Sequence, residues 1–486
     1  MFNKTDCSNN TKRSLPKGIK ASIAFFIASV VSSGISYLVT PIYTRFLTTE
    51  EYGQTSLFMT WLQIFGIIAM FCLSYGVFNN GMSDYKEKRD EYSFSLLILS
   101  NIITISFFGL VLCLYPVLSK LLNMELPLII LMFVLCLFQP AYNFWITRQR
   151  YEYKYKMLLL WSILIAVLSP LVAVIAMVFA KPGERLYPRI FGAECVLIVF
   201  YIGFYVFLGF KNGWKLRTTY WKQAFLFNLP LIPHYLSVYL LNSSDKIMIS
   251  YLISDSATAF YSVAHSIAAI AAILWTAING SLIPYTYEKC KEKKFEDVNK
   301  VTLPLISLFA LGCVVVILLA PEAVKIMATN SYLEAIYVIP PIVGGVFFQV
   351  QYYIYANVIY FYKKPKYVMV GSIVAVVLNI VLNYFCIKRW GYIAAGYTTI
   401  VCYATQAIID YFAMRKVVGM NIYNMKFIVF LSVAVTITAV FGSFLYNYIN
   451  ARYAILILIA VLVFYFRDKI FALFKFRTKE RTNINN

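Results

Sequence analysis

Six residues able to carry charge stand inside stretches that are otherwise apolar: Arg45, Glu194, His234, Asp245, Lys246 and His265. Charge in hydrocarbon is costly, so such groups pair, snorkel to an interface or serve a polar pathway. His234 and Asp245 are eleven residues apart and, at about 100° per residue, fall within about 20° of one another on a helix, with Ser237 on the same side. The same measure taken from His265 gathers Thr258, Tyr261, Ala269, Ala272, Thr276 and Asn279 within about 40°, while Val263, Ile267, Ile270, Leu274 and Ile278 point elsewhere. Small residues alone would indicate close helix packing. Their mixture with Tyr, His, Thr and Asn favours a hydrated cavity, with Tyr261, His265, Thr276 and Asn279 as lining. Ser22, Ser29, Ser33, Ser36 and Thr40 make a third polar stripe. Cations here would hold an anion, and Asp245, Glu194 and His234 would titrate or pair. Asp245 and Lys246 are adjacent, so they point about 100° apart and cannot both face one partner.

The elements that must position these groups are transmembrane helices. The chain is 61% hydrophobic and 13% charged, outside the range of ordinary soluble domains. Fourteen apolar stretches can be read, at about 19–43, 54–78, 92–116, 127–147, 157–180, 190–210, 224–252, 256–285, 301–320, 336–362, 368–387, 393–414, 426–446 and 452–467. About 20 residues suffice to cross the hydrocarbon. Pro230 and Pro233 remove backbone donors and should bend the seventh span, and Pro340-Pro341 leaves 321–362 irregular. Of the 43 Lys and Arg, 33 fall in the N-terminal segment, the C-terminal tail and alternate connections. The excess of cations marks the cytoplasmic side, so both termini are expected there and the net charge of +21 needs no nucleic acid. The first stretch, from Ile19, is too long for a signal-peptide core and lacks a small-residue cleavage site, so no cleavable signal is expected.

No connection exceeds about 14 residues, and with no Walker A motif, no H-E-x-x-H and only two histidines, neither ATP hydrolysis, a metal site nor a catalytic centre is expected. The nine cysteines form no C-x-x-C and lie mostly in apolar spans, against a disulfide framework. A weak repeat relates Phe46-Leu47 and Gly53-Gln54-Thr55-Ser56-Leu57 to Tyr251-Leu252 and Ala259-Phe260-Tyr261-Ser262-Val263, with one residue inserted. Both segments follow a span of the same direction, as in parallel-repeat transporters. The expected architecture is all-α and membrane-embedded: a six-helix lobe over 1–223, a second over 224–425 related by a pseudo-twofold along the membrane normal, and two further helices with a basic tail over 426–486.

The run Leu38-Val39-Thr40-Pro41-Ile42-Tyr43-Thr44-Arg45-Phe46-Leu47-Thr48-Thr49-Glu50-Glu51-Tyr52-Gly53 resembles the signature of the polysaccharide repeat-unit (O-antigen or capsule, Wzx-type) flippases of the multidrug/oligosaccharidyl-lipid/polysaccharide exporter superfamily, and Asn242-Ser243-Ser244-Asp245-Lys246 resembles the start of that family's second half. The resemblance implies a multi-pass protein of the bacterial inner membrane. It would move an undecaprenyl-diphosphate-linked oligosaccharide to the outer leaflet by alternating access, without a cofactor, beside a polysaccharide polymerase and a chain-length regulator. It implies that Arg45 and Lys246 attract the diphosphate and that Asp245 serves ion coupling. The competing classes are a small-molecule antiporter of the same superfamily and a polytopic polymerase or glycosyltransferase. An antiporter for organic cations would need more deep acidic residues than are seen, and such enzymes commonly carry a large outer loop.

The charge pattern makes a topological prediction. In a cysteine-free background, Gly183→Cys should react with an impermeant maleimide in intact cells with a permeabilised outer barrier, and Lys293→Cys only after lysis. The reverse pattern would invert the orientation.

Overall fold

The computed structural model describes residues 31–467 apart from 32, 33, 36, 75, 153 and 466, and among these there are helices and turns but no strand. A helix over 37–46 (α1) is followed by α2 (Thr49–Ala69), α3 (Val77–Asp84), α4 (Arg89–Cys113), α5 (Tyr115–Leu122), α6 (Leu126–Tyr151), α7 (Tyr155–Phe179) and α8 (Leu186–Asn212). After them come α9 (Trp221–Asn228), α10 (Leu231–Leu252), α11 (Asp255–Lys291), α12 (Phe295–Leu318), α13 (Ala320–Met327) and α14 (Ile339–Phe361). The chain closes with α15 (Pro365–Trp390), α16 (Ile393–Val418), α17 (Met425–Phe441) and α18 (Ile449–Tyr465). Among the described residues nine helices are long and apolar enough to cross a membrane, or ten with α9 and α10 taken as one bent span.

Each expected span from the second onward coincides with a helix, while the first falls largely outside the described residues. The differences have local causes. The second span stops at Ala69, where Phe71 and Cys72 turn into the left-handed region (φ 54° and 51°) before α3 begins. Prolines bend the seventh span as expected: α9 and α10 meet at 51° around Leu229-Pro230. The irregular stretch before α14 resolves into α13 and a 3-10 helix over Asn330–Tyr337. Pro340 and Pro341 then occupy the first turn of α14, where a missing N–H costs nothing, and so start the helix instead of breaking it.

One apolar core runs through α10 to α17 and reaches back to Leu47 and Tyr52, and two others fill α2 to α8. In α14, 83% of the apolar window is buried, against 17% in α7. α14 is therefore the axis of the C-terminal half, and α7 faces lipid.

The two repeat-related turns meet. Thr48 caps α2 in a reciprocal capping box with Glu51, and Ser254 caps α11 by accepting from the Ala257 amide. The Thr49 and Ser256 hydroxyls lie 3.0 Å apart, and Gln54 donates to Asp255 at 3.2 Å. Gly53 packs so close to the backbone of Asp255 that an added Cβ would lie 1.8 Å from its carbonyl oxygen. Nearby, the Thr44 hydroxyl donates to the Met327 carbonyl at 2.8 Å and Tyr52 meets Tyr332 edge-on. Most polar contacts between the halves gather at this end.

Because that contact is backbone against a missing side chain, it can be tested with one methyl group. The pair Thr49→Cys and Ser256→Cys should form a disulfide readily in the native background. Cross-linking should fall strongly when Gly53→Ala is added. Equal cross-linking in both would mean that the joint yields without separating.

Candidate functional site: a buried polar chamber around Asp245

Asp245 lies on α10, is 1% exposed and has no ion-pair partner among the described residues. A buried carboxylate is tolerated only when its oxygens are hydrogen-bonded. Three helices supply donors: the Tyr261 hydroxyl from α11, the Asn383 amide from α15 at 2.5 Å and the Thr399 hydroxyl from α16 at 3.0 Å. Further groups orient those donors. Thr398 donates to Asn383 Oδ1, the Asn383 amide also reaches Asn379 Oδ1 at 3.1 Å, and the Ser244 hydroxyl reaches the same oxygen at 2.8 Å. Asn379 Nδ2 is left without a partner.

One helical turn before Asp245, Asn242 Oδ1 accepts from the Tyr403 hydroxyl at 2.5 Å and from Gln349 Nε2 at 3.3 Å. Between these groups is a cavity of about 70 Å³ whose lining includes Asn242, Asp245, Tyr261, His265, Gln349 and Thr399. Its size and polar lining leave room for water. Ala268, Ala269 and Ala272 make the space by being small.

The sequence-derived residues divide. Asp245, Tyr261 and His265 come together in the chamber. Lys246 leaves α10 in another direction and is partly exposed, near enough to His265 and Asp245 for their charges to interact. Its ammonium has no hydrogen-bond partner among the described residues. Thr276 is exposed and donates to the Ala272 carbonyl, whereas Asn279 accepts from the Asn357 amide at 2.7 Å and ties α11 to α14. On the other side of α11 Val263 and Ile267 are buried, while Ile270 and Leu274 are exposed. His234 is half-buried beside Tyr235, with Nδ1 unpartnered, and does not join Asp245. Arg45 is exposed at the joint between the halves, where its guanidinium donates to the carbonyls of Pro41 at 2.6 Å and Ile326 at 3.4 Å. Glu194 is buried near Tyr43 and Arg189.

Sequence reasoning missed several members. Asn379 and Asn383, four apart in an apolar helix, were a visible signal for one polar face. Arg189 falls just before the expected span 190–210, in a connection, yet it is 8% exposed, lies over the Tyr43 ring at 4.5 Å and leaves Nε and Nη1 without hydrogen-bond partners among the described residues. A further carboxylate within an apolar span, Asp410, is fully buried on α16.

A helical bundle of this kind, apolar outside and polar in one internal chamber, defines a polytopic membrane protein. The polysaccharide biosynthesis protein family matches residues 19–290, and the chain belongs to it. The MatE family also matches residues 230–385, the part that carries Asp245, Tyr261 and His265. The chain is 20% identical over 375 residues to the Lsg locus putative protein 1 of Haemophilus influenzae, covering 75% of this chain and 90% of that protein. Its fold resembles that of the lipid II flippase MurJ in an inward closed conformation, with a TM-score of 0.65 and 15% identity over 93% of this chain and all of the other. It also resembles the inward-facing conformation of a multidrug resistance MATE family transporter of the MOP superfamily, with a TM-score of 0.60 and 13% identity over 82% and 98%.

The donors around Asp245 should be energetically coupled to its charge. Tyr261→Phe and Thr399→Val should each cost about 1.5–3 kcal/mol, the range for hydrogen bonds to charged groups, as thermal unfolding of the purified protein. Each cost should shrink by at least half in an Asp245→Asn background. Additive losses would mean that the hydroxyls pack without serving the carboxylate.

Proposed function

We propose that the protein is a flippase that carries undecaprenyl-diphosphate-linked oligosaccharide repeat units from the cytoplasmic to the outer leaflet of the bacterial inner membrane, for O-antigen or capsule assembly. The observation that carries this reading is the charge inventory of the interior. Lys246 projects beside the chamber, and the Arg189 guanidinium is buried with Nε and Nη1 lacking hydrogen-bond partners among the described residues. Each has a carboxylate in electrostatic range, Glu194 for Arg189 and Asp245 for Lys246, but keeps hydrogen-bond donors to spare; such donors favour a further anion, and a diphosphate supplies one. Tyr43, Tyr261 and Tyr403 offer surfaces and hydroxyls for sugars, and the polyprenyl chain need never leave the lipid. The likeness in fold to a protein named as the lipid II flippase MurJ agrees with this chemistry.

Alternating access follows from the proposed lobes, 1–223 and 224–425, with 426–486 added at the side. With cationic loops in the cytoplasm, the joint at Gly53 and Asp255 is the outer closure and this state is shut to the outside. Arg45 braces that closure through Ile326, while Lys246 and Arg189 hold the diphosphate and Asp245 couples to an ion gradient. Glu194 offsets Arg189 when no substrate is present. A polymerase and a chain-length regulator are the expected neighbours. The MatE match over the chamber-bearing half supports a second reading, small-molecule antiport.

Deletion of the gene separates these readings. A flippase predicts intact lipid-linked repeat units accumulating inside the cell with loss of surface polymer. Truncated glycans would indicate an enzyme, and an unchanged polymer with altered drug resistance an antiporter. In complemented cells at matched protein levels, Lys246→Ala and Arg189→Ala should each lower surface polymer about tenfold, as expected from losing a charge-assisted contact of about 1.5 kcal/mol. Near-normal polymer in both would remove these cations from substrate binding.

A further inference from the structure

Asp245 is not the end of the polar seam to which it belongs. α15 and α16 run antiparallel, and their facing stripes carry Asn383, Asn379 and Ser372 on one side and Thr399, Gln406 and Asp410 on the other. Thr399 and Asp410 are eleven residues apart, so they share a helix face about 16 Å apart along the axis. The seam thus has two ends, each with one carboxylate, separated by the packed side chains of Ala375, Val376, Cys402 and Tyr403.

The two ends are treated differently. Asp245 receives three donors, but Asp410 has neither oxygen partnered although the residue is 0% exposed. Gln406, one turn earlier on the same face and 2% exposed, donates its amide to Ser372 Oγ at 3.0 Å and leaves Oε1 unpartnered. Three buried oxygen acceptors, on residues one helical turn apart, therefore have no donor among the described residues. Gly371 of α15 opens the space: a Cβ there would lie 3.0 Å from Asp410 Oδ1. From α14 the groups that reach Asp410 electrostatically are Tyr352 and Tyr360. On α16 itself Lys416 is turned to the ring of Tyr367, at 5.8 Å.

Unpartnered acceptors at a buried carboxylate call for positive charge, because a bare carboxylate without donors is strongly disfavoured. We propose that Asp410 and Gln406 form a second monocation-binding station, which takes up one unit of positive charge as a proton or an alkali ion independently of Asp245. A proton on Asp410 would let its O–H donate to Gln406 Oε1. An alkali ion would bridge the carboxylate and the amide oxygen. The station lies on α16 toward the end opposite the Gly53–Asp255 joint, so it is the member of the pair that meets an ion arriving from that side. The site itself is independent of what is transported, whereas its use in coupling rests on the transport reading above.

The test uses the purified full chain in lipid nanodiscs and no transport substrate, so it stands or falls apart from the flippase reading. Difference infrared spectra between acid and alkaline conditions report protonated buried carboxyls, and unfolding temperature against sodium or potassium concentration reports alkali-ion binding. If a proton binds, a carboxylic C=O band should be lost in Asp410→Asn, retained in Asp245→Asn and shifted in Gln406→Leu, which keeps the carboxyl and removes its acceptor. If an alkali ion binds, salt should stabilise the native chain and Asp245→Asn but not Asp410→Asn. Absence of an Asp410-dependent band together with equal salt responses in native and Asp410→Asn would overturn the proposal. Should Asp410→Asn fail to fold, an unshifted band and an unaltered salt response in Gln406→Leu would overturn it equally.

Discussion

The organising constraint is the need to keep a carboxylate in a buried interior. Asp245 can be buried to 1% only because α11, α15 and α16 each bring it a donor. That requirement fixes the rotation of four helices about one point. It explains why Asn383 is itself held by Thr398, and why Asn379 accepts from Ser244. Polar groups give the bundle its registration, while apolar packing of α14 against its neighbours gives it bulk.

Much of this was legible in the sequence, because hydrocarbon thickness and backbone satisfaction leave few ways to build a spanning segment. The helices from the second span onward and the bend at Pro230 follow from periodicity and proline chemistry, whereas His234, placed by periodicity on the face of Asp245, lies beside Tyr235 instead. What was not legible depends on neighbours far apart in the chain. Arg45 stands in an arresting motif, yet the end of α1 delivers it to carbonyls of Pro41 and Ile326. Arg189 lies only three residues into α8, where a cation ordinarily meets water, and becomes buried because Tyr43 covers it. Asp410 gave no local signal that its oxygens would face Gly371 instead of a donor.

The charged interior groups fall in separate neighbourhoods. Arg189 lies with Glu194 on α8, Lys246 lies near Asp245 and His265 where α10 meets α11, and Asp410 stands apart on α16. A substrate carrying phosphates would meet guanidinium and ammonium groups without displacing the hydrogen bonds of Asp245.

Mechanically, α11 is the longest helix described. Its 37 residues span about 56 Å, well beyond the roughly 30 Å hydrocarbon layer. One end is clamped where Gly53 meets Asp255, and the other carries Lys289 and Lys291. Such a rod is a lever with its fulcrum at one tip. A tilt of about 10° would sweep the far tip through about 10 Å, on the scale of a sugar ring, while the clamped end barely moves. Leverage of this kind would let contacts a fraction of an ångström wide govern a passage large enough for a bulky cargo.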